Sequence, residues 1–342
     1  MTRTRSSRLV AAVTICTFTV LGLAACDSSS DSDGDTRTSS TPTPTSDGPT
    51  AEQGSRTSED AAELAAQVSS KFKQKVYEDS KTGSSLPYNI FLPDGYDSSN
   101  EYPLVLFIAD SSLVGQDVKA PLSQYGALVW ASDRDQQRQK SIVVVPEYPS
   151  VIIDDQESYT TSEYVELTAR FIDDLEDRYE VNDNAIYGTG QSMGAMAILY
   201  LAAEHPDLFA AELLVSGQWD KEQLGGLTEQ KFFYIAAGGD SRSTGGQKDL
   251  QELLDEAKVP YGTATFDATW SESRLDAAAQ KLLDDGYNAH FATFKTGTVL
   301  SAAGQDAGGT GQDAGAAEHM ASFEPAYKIP AVRDWLFAQV ND

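Results

Sequence analysis

Apolar and polar positions follow three spacings along this chain, and each predicts a different element. Unbroken apolar runs at Leu104–Ile108 and Ile142–Val145 read as strands buried on both faces. Shorter stretches at Ala185–Tyr187, Leu213–Val215, Phe232–Ala236 and Phe291–Phe294 read as further strands. Strict alternation begins at Phe72, Gln74 and Val76 and returns at Leu86–Leu92. The turn-rich Asp79–Ser84 lies between, so an opening hairpin is predicted, ended by Pro93-Asp94-Gly95-Tyr96. Helical spacing is clearest in Ser162–Tyr179, where Val165, Ala169, Ile172 and Leu175 share one face. Further helices fit Ala120–Gln139, Ala195–Ala203, Gln247–Lys258, Ser271–Asp285 and Pro330 to about Val340, with Pro330 a favourable first residue. Glu59–Val68 reads as a short helix or as further linker. Strands alternating with helices predict an α/β fold with a doubly wound, mostly parallel sheet in one catalytic domain, residues 59–342.

The pattern fails at the start of the chain. Arg3, Arg5 and Arg8 precede an apolar stretch, Leu9–Ala25, that ends in small residues, which is the form of an export signal over residues 1–25. Residues 26–58 are mostly Ser, Thr, Asp, Gly and Pro; with so little to bury they read as a flexible tether. Of two cysteines, Cys16 lies in the signal and Cys26 just after it. The exported body is therefore expected to hold no disulfide, no cysteine metal site and no catalytic thiol.

Net charge is −27, and removing residues 1–25 with their three arginines takes it to about −30. Such a surface argues against nucleic-acid partners. No histidine or cysteine cluster suggests a metal, no P-loop is present, and no cofactor is called for.

The candidate chemistry centres on Gly188-Thr189-Gly190-Gln191-Ser192-Met193-Gly194, set between a strand and an apolar helix. Gly-x-Ser-x-Gly in that setting reads as a nucleophile elbow, with the helix N-terminus beside the serine oxygen. A rival reading, a dinucleotide-binding glycine loop, belongs near the start of a fold, whereas this motif follows several strands. Functional groups of such sheets gather beyond the carboxyl ends of the strands. There the chain offers Asp240, in Ala237-Gly238-Gly239-Asp240, and His319, in Glu318-His319-Met320 on a loop after the last strand.

The order Ser192, Asp240, His319 matches that of hydrolase triads, in which histidine takes the serine proton and the acid orients the imidazole. Of three histidines, His205 suits a helix end and His290 a packed strand. Asp220, in Gly217-Gln218-Trp219-Asp220, is the alternative acid. The oxyanion donors expected are the Met193 N–H and one from Ala109-Asp110-Ser111-Ser112, at Ser111 or Asp110. Trp219 and Gln191 are candidate substrate contacts, Trp219 being equally readable as core.

Residues 71–339 resemble the α/β-hydrolase superfamily, and within it the secreted bacterial esterases grouped as predicted peptidases or prolyl-oligopeptidase-like hydrolases. Three segments carry the resemblance: Leu86-Pro87-Tyr88 through Tyr96, the elbow, and Glu318-His319-Met320 with Ala326-Tyr327 and Val332–Phe337. It implies Ser192 as nucleophile, His319 as base and Asp240 as acid. The chain departs from the group where relatives often carry His-Gly after the third strand, and in a longer Asp240-to-His319 stretch with a Gly-rich segment, 302–317, that reads as a lid or as disorder. Prolyl oligopeptidases gate their sites with a propeller for which this chain has no room, so a small or polymeric ester is the expected substrate. Peptidase or acyltransferase chemistry on the same triad, and a non-catalytic binding module, are the alternatives. Leu23-Ala24-Ala25-Cys26 resembles a bacterial lipobox, which implies acylation at Cys26 and anchoring on the outer face of the cell membrane; a monomer is expected.

Overall fold

The structure is a computed structural model that describes residues 60–156, 158–305 and 312–341. The signal, Cys26 and the tether lie outside the described residues, as do 306–311 of the Gly-rich segment.

The opening hairpin pairs β1 (Lys73–Glu78) with β2 (Ser85–Phe91). Then follow β3 (Tyr102–Ile108), β4 (Ile142–Pro146) and a small ribbon of β5 (Ile153–Asp154) and β6 (Thr160–Thr161). The remaining strands are β7 (Val181–Gln191), β8 (Ala211–Val215), β9 (Phe232–Ala237), β10 (Tyr261–Phe266) and β11 (Ala289–Phe294). Among the described residues nine of them form one sheet in the order β1-β2-β4-β3-β7-β8-β9-β11-β10. Pairing is antiparallel at β1–β2 and β2–β4 and parallel from β4 onward.

The all-apolar β3 shows why such runs signal a sandwiched strand. Val105 and Phe107 join one core; Leu104, Leu106 and Ile108 join the other. The first core is covered by α1 (Ala61–Val68), α2 (Tyr125–Leu128), α7 (Glu272–Leu283), α10 (Phe323–Tyr327) and α11 (Pro330–Phe337). The second lies under α4 (Glu163–Arg178), α5 (Met193–Glu204) and α6 (Ser241–Ala257). Short helices α3 (Asp133–Arg138), α8 (Thr298–Ala302) and α9 (Gln312–Ala321) complete the set among the described residues. Their ends follow capping chemistry: Asp60 and Glu63 form a reciprocal capping box on α1, and Ser162 caps α4. Among the described residues no helix is long and apolar enough to cross a membrane.

Several elements differ from the sequence pattern. The single helix expected over 120–139 is broken into short turns with α2 and α3 between them. Pro121 starts one turn and the Ser132 hydroxyl accepts from Asp135 N to start α3 afresh. Helix α6 begins six residues before Gln247, because Asp240 caps it. Strand β10 was not expected. It is a sheet edge whose exposed and buried residues do not alternate cleanly, so period two is weak.

One buried group gives a pH-dependent test. Glu212 in β8 is 0% exposed and neither carboxylate oxygen has a hydrogen-bond partner among the described residues. Burial raises its pKa well above the ordinary carboxyl value, with Lys231 a weaker opposing influence. The fold therefore favours the protonated form. Its contribution is fully present below the unfolded-state pKa and is lost as pH rises through the raised folded value. Glu212→Leu is expected to leave Tm little changed near pH 4 and to raise it by roughly several degrees at pH 8. A lower Tm at pH 8, read by thermal denaturation across that range, would refute the account.

Candidate active site

Strand β7 runs through Gln191 and turns sharply at Ser192, whose φ of 53° and ψ of −119° put a non-glycine residue at positive φ. Such a conformation costs about 1–3 kcal/mol and persists only where its surroundings enforce it. Here the Ser192 N–H donates to Val215 O at 2.9 Å, and its carbonyl accepts from Met196 N at 3.0 Å to open α5. Among the described residues no side-chain cap bond is made at the start of that helix, and Met193, its first residue, carries one of the N–H groups a helix leaves without an intrahelical partner. The flanking glycines are dictated by space. A Cβ on Gly190 would stand 2.5 Å from the Gly194 carbonyl carbon, and one on Gly194 would stand 1.9 Å from Ile108 O. A side chain at Gly190 would force β7 and the start of α5 apart, and one at Gly194 would push the elbow away from β3.

Beyond β9, the Asp240 carboxylate caps α6 by accepting from Arg242 N and Ser243 N, each at 3.2 Å, and from the Ser243 hydroxyl at 2.5 Å. It is 4% exposed. Its Oδ2 also lies 2.6 Å from His319 Nδ1, and His319 Nε2 lies 2.8 Å from Ser192 Oγ. An ionised carboxylate only accepts, so Nδ1 carries the proton and the neutral ring presents Nε2 as acceptor for the serine O–H. Burial alone would raise the Asp240 pKa, but the hydrogen bonds from His319 and Ser243 outweigh it and lower the pKa, keeping the acid ionised.

His319 stands in the last turn of a helix, α9, and not on the loop expected from the Gly-rich sequence. The alternative acid points elsewhere: Asp220 caps a 3-10 turn, accepting from Glu222 N at 3.1 Å and from Gln223 Nε2 at 3.0 Å. The other histidines are also accounted for. His205 ends α5 beside Glu166, 3.2 Å away. His290 is buried between Phe233 and Trp335, and that burial pushes its pKa down to about 4.

The loop after β3 is held by Asp110, which is buried. Its Oδ1 accepts from Ser112 N at 2.8 Å, and its Oδ2 accepts from the side-chain amides of Gln191, at 3.0 Å, and Gln124. Asp110 and Gln191 thus tie the loop carrying Ser111 to the residue before Ser192. Gln191 was expected to contact substrate; its buried amide instead donates to Asp110. Trp219 likewise belongs to the core. It is 2% exposed, its indole N–H donates to Gln223 Oε1 at 3.2 Å, and its ring meets Tyr159 edge-on at 5.0 Å. The aromatic that reaches solvent there is Tyr159, 45% exposed. Tyr159 lies on the β5–β6 ribbon segment, which is also latched by Asp155 to Gln218 and Arg242.

A family model described as "Putative esterase" matches residues 80–289, more than half of the chain. The chain belongs to this esterase family. The matched stretch contains Ser192 and Asp240 and ends before His319. Among solved structures, a thermostable esterase superposes with a TM-score of 0.63 at 22% identity, over 80% of this chain and 64% of that one. The chain therefore spans less than two thirds of that protein, and the likeness establishes the shared fold. A feruloyl esterase module from Clostridium thermocellum aligns with a TM-score of 0.47 at 13% identity, covering 75% of this chain and 87% of that one. A dipeptidyl aminopeptidase IV homologue from Bacteroides ovatus aligns with a TM-score of 0.45 at 12% identity, covering 74% and 35%. Comparison with curated protein sequences finds no match.

This esterase-family site also contains residues that motif reading passed over. Ser216 takes a φ of 50° at the end of β8, next to the elbow. Its hydroxyl lies 2.8 Å from that of Ser322, which donates to His319 O at 2.7 Å. Since the Ser322 proton is committed there, Ser216 is the donor between the two. The Glu318 carboxylate accepts from Gly239 N at 3.0 Å and from Gly297 N at 2.6 Å. Adjacency to His319 is the one sign of Glu318 in the sequence.

Proposed function

We propose that this chain is a serine hydrolase that cleaves carboxylic esters through an acyl-enzyme. The observation that carries the reading is the continuous relay Ser192 Oγ–His319 Nε2 and His319 Nδ1–Asp240 Oδ2, at 2.8 and 2.6 Å. As Ser192 Oγ attacks the ester carbonyl, its proton passes to Nε2. The imidazolium that forms is stabilised by the ionised Asp240. Negative charge developing on the carbonyl oxygen is met by the Met193 N–H at the positive end of α5 and by a second N–H from Asp110 or Ser111. His319 then protonates the leaving alcohol, which departs, and water, deprotonated by the same Nε2, releases the acid and restores Ser192.

Side-by-side hydrolysis of short p-nitrophenyl esters and peptidyl p-nitroanilides tests the substrate class. Rapid ester cleavage with anilide cleavage at least about 100-fold slower supports the reading, since about 2.7 kcal/mol in barrier separates such rates. Preferential anilide cleavage would favour a peptidase.

The reading extends to location. The basic start, the apolar stretch 9–25 and Leu23-Ala24-Ala25-Cys26 support export and acylation at Cys26, with two or more chains giving stable membrane anchoring. In a bacterial host, an alkynyl fatty acid should label the full chain and not Cys26→Ser; equal labelling of both would refute the anchor.

A further inference from the structure

We propose that Glu318 is a positioning residue that holds the base and the acid of this site in register. The proposal rests on the reading of Ser192, His319 and Asp240 as a triad. Glu318 immediately precedes His319, and Gly239, whose N–H it accepts, immediately precedes Asp240. Its other oxygen accepts from Gly297 N, at the start of α8. One carboxylate therefore joins three separate segments: the β9–α6 loop, the β11–α8 loop and the helix carrying the imidazole.

The contact is built closely enough to constrain both sides. Glu318 is 3% exposed. A Cβ on Gly239 would lie 2.3 Å from the Glu318 carboxyl carbon, so only glycine lets the loop lie flat against that carboxylate. Gly238 packs in the same way, with a Cβ there standing 2.8 Å from Phe294 O. A charged acceptor on two backbone N–H groups makes stronger hydrogen bonds than a neutral one, and removing it strands two part-buried donors. The opposite side of His319 is anchored through its carbonyl by Ser322 and Ser216. Backbone on one side and the preceding side chain on the other fix where the ring stands. A two-bond relay tolerates little error, because a displacement of about 1 Å can cost about 100-fold in rate.

The test uses the full chain with Glu318→Ala and Glu318→Gln, the latter keeping side-chain volume and one acceptor. Three quantities are read: Tm, kcat and KM on the best p-nitrophenyl ester, and the far-downfield proton resonance of His319 Nδ1–H. Glu318→Ala is expected to lower kcat about 100-fold and leave KM within about threefold, with the downfield resonance lost or strongly broadened. Glu318→Gln should lie between it and the unaltered protein, and it carries the test alone if the alanine variant does not fold. A folded variant whose Tm falls while kcat and the resonance persist would overturn the proposal, reducing Glu318 to a fold-stabilising residue. Should the unaltered protein hydrolyse no ester, the functional reading fails, whereas the resonance in the two variants still decides the role of Glu318.

Discussion

Ser192→Ala is expected to lower kcat for ester hydrolysis by roughly 10⁵–10⁶, with KM within a few-fold. The loss is large because the substitution removes the nucleophile and leaves nothing for His319 to deprotonate. Background turnover would then come from the oxyanion donors and from substrate binding alone. Adding His319→Ala to that variant should cost little more, since the two groups act as one unit 2.8 Å apart. Stability should change little, because alanine meets the same positive φ and the Ser192 hydroxyl has no partner besides the imidazole among the described residues. Initial rates at saturating p-nitrophenyl acetate measure the effect. More than a tenth of normal kcat in the single variant would sink the role given to Ser192.

The second large effect concerns stability. Arg333 in α11 is buried with Asp135 in α3: its Nε donates to Oδ2 at 2.6 Å and its Nη2 to Oδ1 at 3.0 Å. The remaining nitrogen, Nη1, donates to the carbonyl of Tyr327. Asp135→Ala would leave a guanidinium in the core without its counter-charge, at a cost of about 3–5 kcal/mol. The expected loss in Tm is on the order of 10 °C. Arg333→Met added to Asp135→Ala should recover part of it, because the stranded charge goes with the arginine. A Tm for Asp135→Ala within 1–2 °C of the unaltered protein, against the several degrees such a cost implies, would contradict the account. Hydrogen bonds through Tyr327 also connect the pair to β7. Tyr327 ends α10, and its hydroxyl lies 3.0 Å from Thr189 Oγ1, three residues before Ser192.

The elbow was legible because its constraints are local. Gly190, Ser192 and Gly194 occupy one turn, and the steric reasons for each act within a few residues or against the adjacent β3. The sandwiched strands were legible for a similar reason, since an apolar run carries its burial in its own composition. His319 emerged by elimination among three histidines, but its setting did not. The Ala-rich stretch before it forms a helix that glycine content had argued against.

What remained hidden depends on partners distant in the chain. Asp220 and Asp240 both follow strand ends, and only the fold shows which one meets an imidazole 79 residues beyond Asp240. Gln191 looked like a substrate contact because it adjoins the nucleophile; its amide turns to Asp110, 81 residues earlier. Glu318 could not have been read from spacing, since Gly239 and Gly297 become its partners only once β9 and β11 lie side by side. The missing His-Gly pair after β3 takes on a physical meaning in the same light. Asp110, held by Gln191 and Gln124, anchors that loop with a carboxylate.

The central claim is that Ser192 is a nucleophile activated by His319. Reaction with a fluorophosphonate, followed by proteolysis and mass spectrometry, tests it most directly because it requires no knowledge of the natural ester. The expected product is a single phosphonyl adduct on Ser192, absent in Ser192→Ala and formed much more slowly in His319→Ala. A folded protein that takes up no probe, or takes it up at another residue, would contradict it.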